Sequence, residues 1–455
     1  MKILLVSHGY PPRAQGGTEQ YTAELARGLA REGHSVDVFA ARKEISLPDL
    51  SWQESQVEGV RLHELVNNLF HESFEQTWSQ ERVAARFAER LARVGPQVVH
   101  FQHLLYWSFE CAGAAAASGA RVYFTLHDDW LSCPRFGQRR HPDGGLCERV
   151  DFERCGTCLS DFKFAQSPLE RGVGRALAGI RSLSGLDLGP LARRAGRAGG
   201  AGGVAAPDPQ RARDFASAAR VRMQDARERV LPAVRRFFAP SRFLRERFVS
   251  EWGLEEERVL HLPFGFERAS QPVPRSEHSG PLRIAFLGAL IQTKGPQLLL
   301  EAWGALDPAL RARAQLHLFG PRGHEPEFQA QLDQLAQACG AQLAGPLARA
   351  DVPALLARTD LLVVPSLWWE NSPLVIQEAL VARTPLLVAD KGGMAELVEP
   401  GVDGWRFRFG DAGALCEALA GLIDDPERLR SLPGRARALP TPQEHLAALV
   451  QEYAR

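Results

Sequence analysis

One stretch, Asp360 to Leu380 (DLLVVPSLWWENSPLVIQEAL), limits the folds open to this chain more than any other. Leu361 to Pro365 is a short apolar run with the length of a strand buried on both faces. Ser366 to Ser372 is polar and aromatic, Pro373 suits a first helical position, and Leu374 to Leu380 continues as a helix. Glu370 then lies in the loop and Glu378 on the helix. In an open parallel sheet, ligands bind beyond the carboxyl ends of the strands, where helix N-termini present free backbone N–H groups to anions. Glu370 enters such a crevice from its loop. Glu378, two turns along, reaches hydroxyls but not phosphates, because like charges repel. Two carboxylates around an anion-binding helix start suit a phosphorylated, hydroxyl-rich ligand such as a nucleotide sugar.

The same alternation opens the chain. Lys2 to Ser7 reads as a buried strand, Tyr10 to Gly17 as a turn-rich loop, Thr18 to Glu32 as an amphipathic helix and Ser35 to Ala40 as the next strand, a βαβ unit. Gly16 and Gly17 permit close backbone approach by a substrate or phosphate, or serve only tight-turn geometry. Strands at Gln97 to Phe101 and Arg121 to Leu126 end in polar residues, so His100, His103 and His127 fall near strand tips. Three histidines there point to a ligand-facing wall. Asp128 reads as a helix cap or a hydrogen-bond partner of that site.

At 455 residues the chain needs two or three domains. Its formal net charge of zero argues against the uniform basic field of a nucleic-acid binder. No apolar run approaches the roughly 20 residues of a spanning helix, and a strand starts at the N-terminus, so a cytoplasmic location is expected. Cys133, Cys147, Cys155 and Cys158 crowd a loop-rich segment with C-x13-C-x7-C-x2-C spacing. Four thiolates there suit a structural zinc site; two disulfides or unligated thiols are the alternatives.

Residues 161–230 are rich in Ala, Gly and Arg, with GRAGGAGGVAAPDPQ reading as a linker between arginine-bearing helices that pack on the N-terminal domain or touch anionic lipid. Regular structure resumes with a strand at Arg236 to Ala239, a helix capped by Ser241 and a strand at Val259 to Leu262. The polar, proline-containing 263–281 stretch marks a boundary. In the second half RIAFLGA, QLHLFG, DLLVVPS and PLLVAD are short strands between helical patterns. Lys294 precedes a helix, where a point charge and a helix start together suit a phosphate. Lys391-Gly392-Gly393 forms another close-approach turn.

PSLWWENSPLVIQEA resembles the E-x7-E signature of the retaining nucleotide-sugar glycosyltransferases of family GT4. PP-x3-GG followed by LARGLAREGHSV is similar to the N-terminal unit of the same enzymes, and HDDWLSCPR with a later C-x-x-C is similar to a subset of them. The resemblance implies an α/β, GT-B fold: two Rossmann-like domains facing across a cleft, an N-terminal acceptor-side domain at 1–262 (with a cysteine-rich loop at 131–160), a C-terminal nucleotide-sugar domain at 282–435, and a final 436–455 helix crossing back. It implies that Lys294 and the Gly288 backbone take the diphosphate and Glu378 the ribose. Glu370 with the Asn371-Ser372-Pro373 backbone would hold the hexose, with Gly16 and Gly17 close to the donor. His127 would approach the donor sugar and His103 the acceptor, so His127, Glu370 and Lys294 are the residues expected to carry catalysis.

No catalytic metal is implied. The partners implied are a nucleotide-sugar donor and a glycan or lipid-linked acceptor in bacterial surface-polysaccharide assembly, at the cytoplasmic face of the inner membrane, with no nucleic acid. Ala289 departs from the family pattern G-R-L-x-x-x-K-G, which has arginine there. Arg322, Arg349 or backbone N–H groups are the candidate substitutes. A GT-B nucleotide-sugar epimerase and a noncatalytic nucleotide-sugar or glycan-binding protein are the competing readings.

Overall fold

The computed structural model describes every residue except 15, 161, 165–166, 185–207, 267–279 and 433–438. The glycine-rich centre of the 161–230 segment and most of the 263–281 stretch lie outside the described residues. Contacts divide the chain into two compact units: unit 1 is Met1–Phe238, Phe248–Leu260 and Val450–Arg455, and unit 2 is Ala239–Arg247 and His261–Leu449.

Unit 1 is built on eight strands: β1 Lys2–Ser7, β2 Ser35–Arg42, β3 Trp52–Val57, β4 Val60–Val66, β5 Val98–Phe101, β6 Arg121–Thr125, β7 Arg236–Ala239 and β8 Val259–His261. β7 and β8 end at the division between the units. The sheet order is β3-β4-β2-β1-β5-β6-β7-β8. Ile3 to Val6 are fully buried, which is why they read as an unbroken apolar run rather than an alternating one. The β3–β4 hairpin, antiparallel in a sheet whose other recorded pairings are parallel, has no counterpart in the sequence reading. Its turn places Glu58 and Gly59 at φ of 50° and 83°, the left-handed pair that folds one strand directly onto the next.

From β1 the chain works outward to β2 and β4 in one direction, and from β5 to β6 and β7 in the other. The strand order therefore reverses between β1 and β5, the position where sheets of this type bind ligands.

Helix Pro209–Asp225 lies on helix Phe152–Ser160 so closely that a Cβ on Gly156 would sit 2.2 Å from the Ala212 carbonyl oxygen. Arg222 from the first of these helices is buried. It donates to the carbonyls of Leu131 (2.7 Å) and Trp130 (2.6 Å) and lies over the Trp130 ring. This arginine-bearing helix thus packs on the unit 1 core. The last turn of helix Pro442–Ala454 also belongs to unit 1: Tyr453 is fully buried with its hydroxyl 2.5 Å from His100 Nδ1, and Glu452 pairs with Arg236 at 2.9 Å.

Unit 2 carries β9 Leu282–Leu287, β10 Ala314–Phe319, β11 Gln342–Gly345, β12 Leu361–Val364, β13 Leu386–Ala389 and β14 Gly404–Phe407, all parallel, in the order β11-β10-β9-β12-β13-β14. Here the order reverses between β9 and β12. The reading from sequence ended this sheet at β13 and passed over β11; β14, with only Gly404 and Phe407 buried, carries little apolar signal. Pro373 is the N-cap of helix Leu374–Ala382 rather than its first residue, with extended backbone at ψ 122°. Among the described residues no helix is long and apolar enough to cross a membrane.

Candidate functional site

In unit 2 the loops after β9 and β12 meet at the strand-order reversal. Gly295 has φ of +72°, and a Cβ there would lie 2.0 Å from the Pro365 carbonyl oxygen, so only glycine lets the two loops touch. The Leu367 N–H donates to the Thr293 carbonyl at 2.7 Å. This contact brings Lys294 Nζ to 2.7 Å from Glu370 Oε1, which also accepts from the Ser366 hydroxyl at 2.8 Å. Burial alone would push the Glu370 carboxyl up. The Lys294 ammonium, by charge and hydrogen bond, together with Ser366, outweighs it and holds the group below the ordinary carboxylate value.

The loop is backed by aromatic and glycine contacts. Lys294 Nζ lies 5.1 Å from the centre of the Trp368 ring. Trp369 stacks on Phe243 at 5.2 Å, with Arg247 and Lys391 at 4.2 and 4.5 Å from its ring. The Gly393 N–H donates to the Glu370 carbonyl at 2.8 Å, and a Cβ on Gly393 would fall 1.5 Å from the Asn371 carbonyl oxygen. Ser241 caps its helix by accepting from the Leu244 N–H and also bonds the Asn371 side chain at 2.5 Å. The Gln377 amide donates to the Ser372 hydroxyl at 2.5 Å.

Lys294, Glu370, Asn371, Ser372 and Pro373 thus come together, with Glu378 half-buried on the following helix and Gly288 just past β9. Arg322 is an exposed partner of Asp333 (Nη2 to Oδ1, 2.5 Å), and Arg349 opens an exposed short turn, Arg349–Asp351. Sequence reasoning passed over Ser366, Trp368, Trp369 and Arg247. The paired tryptophans between Pro365 and Glu370 were the available signal.

Unit 1 sets one of its three strand-tip histidines apart and keeps His103 and His127 within charge reach of each other. His100 is fully buried between the Tyr453 hydroxyl and the Thr125 hydroxyl (2.8 Å), a core residue and not part of a ligand-facing wall. His127 is half-buried, with Nε2 3.1 Å from Gln102 Oε1, and burial pulls its pKa down to about 3. His103 is 4% exposed and both ring nitrogens are engaged: Nδ1 accepts from the Leu105 N–H at 2.8 Å, and Nε2 faces Asp128 Oδ2 at 3.3 Å. Both contacts fix the orientation of the ring within unit 1.

Asp128 also takes the Trp130 N–H at 2.7 Å, as the cap-or-partner reading expected. Gly16 precedes helix Gly17–Arg31, but the Glu19 carboxylate folds over it. A Cβ on Gly16 would lie 2.5 Å from Glu19 Oε2. The missing side chain therefore accommodates a carboxylate from within the chain.

Cys133, Cys147, Cys155 and Cys158 are free thiols. Burial pushes all four up, Cys133 to about 11 and Cys155 to about 12, and each lies within charge reach of another. Cys133 Sγ faces the Arg135 carbonyl and Cys158 Sγ the Arg135 guanidinium at 3.7 Å. Among the described residues no three His, Cys, Asp or Glu side chains are placed to hold a metal ion. Cys155 has the other three sulfurs as charge neighbours, so the four thiols of the segment gather in one region.

Two Rossmann-like units, each with polar or charged side chains at its strand-order reversal, define the GT-B class of glycosyltransferase folds. Comparison with known proteins agrees. Residues 268–438 match the family described as glycosyl transferases group 1, and residues 15–158 match glycosyltransferase family 4, so the sequence is GT4-like over both stretches. The structure resembles Anabaena Alr3699/HepE, crystallised with UDP and glucose, at a TM-score of 0.63 and 16% identity over 100% of this chain and 99% of that one. It resembles sucrose-phosphate synthase of Thermosynechococcus elongatus at 0.64 and 18%, over 100% and 98%.

By sequence, D-inositol 3-phosphate glycosyltransferase of Geodermatophilus obscurus is 34% identical over 193 residues, 39% of this chain and 43% of that relative. Alpha-D-kanosaminyltransferase of Streptomyces kanamyceticus is 24% identical over 172 residues, 38% and 44%. The chain spans less than half the length of these curated relatives.

Proposed function

We propose that this chain is a retaining glycosyltransferase that moves a hexose from a nucleotide-diphosphate sugar to a glycan or lipid-linked acceptor in bacterial surface-polysaccharide assembly. The observation that carries the reading is the Lys294–Glu370 pair, 2.7 Å apart at the strand-order reversal of a parallel sheet. As the C1–O bond loosens toward an oxocarbenium-like state, negative charge grows on the departing diphosphate. An ammonium already fixed by a buried carboxylate meets that charge without reorganising.

In this reading Glu370 keeps Lys294 in place and, with the Asn371-Ser372-Pro373 backbone, faces the hexose. Glu378 takes the ribose hydroxyls, and the Gly288 backbone shares the diphosphate. His127, a neutral imidazole, steadies the sugar and donates no proton. Charge compensation by Lys294 and N–H groups makes transfer independent of added divalent metal. UDP-glucose is the first donor to try, since HepE binds UDP and glucose.

The test is incubation of UDP-, GDP- and ADP-hexoses with and without glycan and lipid-linked acceptors, in EDTA. A glycoside of unchanged anomeric configuration, formed only with acceptor, is expected. A converted donor without acceptor would indicate an epimerase, and binding without turnover a noncatalytic protein.

Contact with the cytoplasmic face of the membrane belongs to the same proposal. Helix Pro168–Ser184 exposes Leu169 (77%), Val173, Ile180 and Leu183 (91%) beside Arg171 and Arg175. An apolar stripe with flanking arginines suits an anionic bilayer. Flotation with liposomes containing anionic lipid should be lost in Leu183→Glu; equal flotation of both proteins would discard the contact.

A further inference from the structure

The donor site makes no use of helix Pro209–Asp225, but one arginine of this helix is not on a solvated face. Arg222 is 2% exposed, and its guanidinium donates to two successive backbone carbonyls, Trp130 at 2.6 Å and Leu131 at 2.7 Å. Its Cζ lies 4.6 Å from the centre of the Trp130 ring and 5.4 Å from that of Phe109. These carbonyls belong to the loop after β6, His127 to Ser132, which begins with the imidazole that the proposed function sets beside the sugar.

Burying a cation is costly, and an apolar side chain of similar volume commonly stabilises a core as well. An apolar side chain cannot hold two peptide planes, whereas the rigid fork of a guanidinium does so with both of its terminal nitrogens. The rest of the loop is fixed to match. Asp128 Oδ1 accepts from the Trp130 N–H at 2.7 Å, and the Ser132 and Cys133 N–H groups donate to the Asp129 carbonyl at 3.0 and 2.8 Å. The Asp128 carboxylate also lies within charge reach of Arg222. At the start of the loop, His127 meets the Tyr21 ring edge-on at 5.3 Å and lies 3.1 Å from Gln102 Oε1.

The helix that presents Arg222 is anchored without it. Gly156 leaves room for the Ala212 carbonyl, the Trp78 indole N–H donates to Asp225 at 2.9 Å, and Arg229 pairs with Glu110. Arg222 therefore meets the loop from a fixed base.

We infer that Arg222 is a positioning residue for the transfer reaction: by clamping the Trp130 and Leu131 carbonyls it fixes the loop that aims His127. This rests on the reading of the chain as a glycosyltransferase and gives helix Pro209–Asp225 a part in the reaction. A displacement of about 1 Å in a positioned group can cost on the order of 100-fold in rate, so the clamp acts on catalysis beyond its share of stability.

The experiment is a double-mutant cycle between Arg222 and His127 in the full chain, with initial rates on the active donor and UDP affinity by calorimetry. Arg222→Met keeps an unbranched stem and removes the fork. It should lower kcat by about tenfold or more, leave the donor KM within about twofold and leave UDP affinity unchanged. Arg222→Lys, able to reach one carbonyl, should recover part of the rate. In the His127→Ala background Arg222→Met should cost less than about twofold, because the group it aims is gone. A loss purely of stability would be the same in both backgrounds.

The NMR ring signals of His127 and His445 supply a readout independent of turnover. In Arg222→Met the His127 signal should shift while that of His445, in unit 2, stays in place. A full-size loss of rate in the His127→Ala background, wild-type kcat in Arg222→Met, loss of UDP binding in that variant, or a His127 signal that does not move would overturn the inference. A wild type that turns over no donor would count against the transferase reading alone, and the His127 signal would still decide whether Arg222 places the loop.

Discussion

Lys294 Nζ lies 2.7 Å from Glu370 Oε1, joining the loop after β9 to the loop after β12 at the point where the strand order of unit 2 reverses. Removing the ammonium leaves a carboxylate that is 6% exposed without its cation, a loss on the order of 3–5 kcal/mol for a buried pair. Glu370→Gln keeps the Ser366 bond but frees the lysine. Each of Lys294→Ala and Glu370→Gln should lower transfer by at least about tenfold, roughly 1.4 kcal/mol of transition-state stabilisation. Initial rates on the active donor measure it, and near-normal rates in both variants would contradict the assignment.

The depressed Glu370 value gives the pair its pH range. A carboxyl whose folded pKa lies below its unfolded value contributes stability that is complete above the unfolded value, near 4.5, and is lost only as pH falls through the folded one. Donor affinity between pH 7 and pH 5 should therefore show no loss traceable to Glu370. A carboxylate titration in that interval, absent from Glu370→Gln, would contradict it.

Gly393→Ala should disable the donor loop without unfolding unit 2. Its Cβ would overlap the Asn371 carbonyl oxygen at 1.5 Å, and the nearest relief is displacement of the segment carrying Glu370 and Asn371. Gly421→Ala, in helix Ala412–Asp424 with only Arg428 Nη1 nearby at 3.9 Å, is the matched control. That change should be neutral or stabilising by about 0.5–1 kcal/mol. Thermal unfolding with and without UDP separates them: Gly393→Ala should lose the UDP-dependent rise, and Gly421→Ala should keep it.

Strand β12, its loop and its helix were legible because a strand buried on both faces leaves an unbroken apolar run, and because Lys294 and Glu370 each follow one. The same rule drew His100 into a ligand-facing wall, since a sequence shows that a histidine ends a strand but not which nitrogen is already bonded. Tyr453, 353 residues away, decides that for His100. At Gly16 the sequence marks close approach before a helix without naming the visitor, and the structure places the Glu19 carboxylate there. The β3–β4 hairpin and β14 were missed because β3 and β14 are partly exposed, while β4, buried at all but Arg61, has its apolar run broken by Arg61, His63 and Glu64.

Acid should weaken both units through histidine. Burial lowers His71 and His127 in unit 1 to about 4 and about 3, and His445 in unit 2 to about 4, from an ordinary value of 6.5. Because the folded values are lower, the unfolded chain binds more protons below pH 6.5. Stability is whole above that pH and falls as pH drops, each group adding up to about 1.4 kcal/mol per pH unit. Urea unfolding at pH 7 and pH 5 measures the loss. His445→Phe should recover about 1–2 kcal/mol of it in the unit 2 transition, and an unchanged pH dependence would contradict the burial argument.

Zinc in the cysteine segment is read from the metal content of purified, tag-free protein, since a structural zinc site binds tightly enough to survive purification. About one equivalent supports the four-thiolate site proposed from the Cys133, Cys147, Cys155 and Cys158 spacing, and less than roughly a third ends it. All seven cysteines should react with a thiol reagent in denaturant without reductant.

Calorimetric titration of the wild type and Lys294→Ala with UDP, GDP and ADP bears most directly on the donor grip at β9 and β12. One of the three should bind the wild type, and that same nucleotide should bind Lys294→Ala at least about tenfold more weakly, a loss of about 1.4 kcal/mol. Equal affinity in the two proteins, or no binding of any of the three to the wild type, would contradict the account.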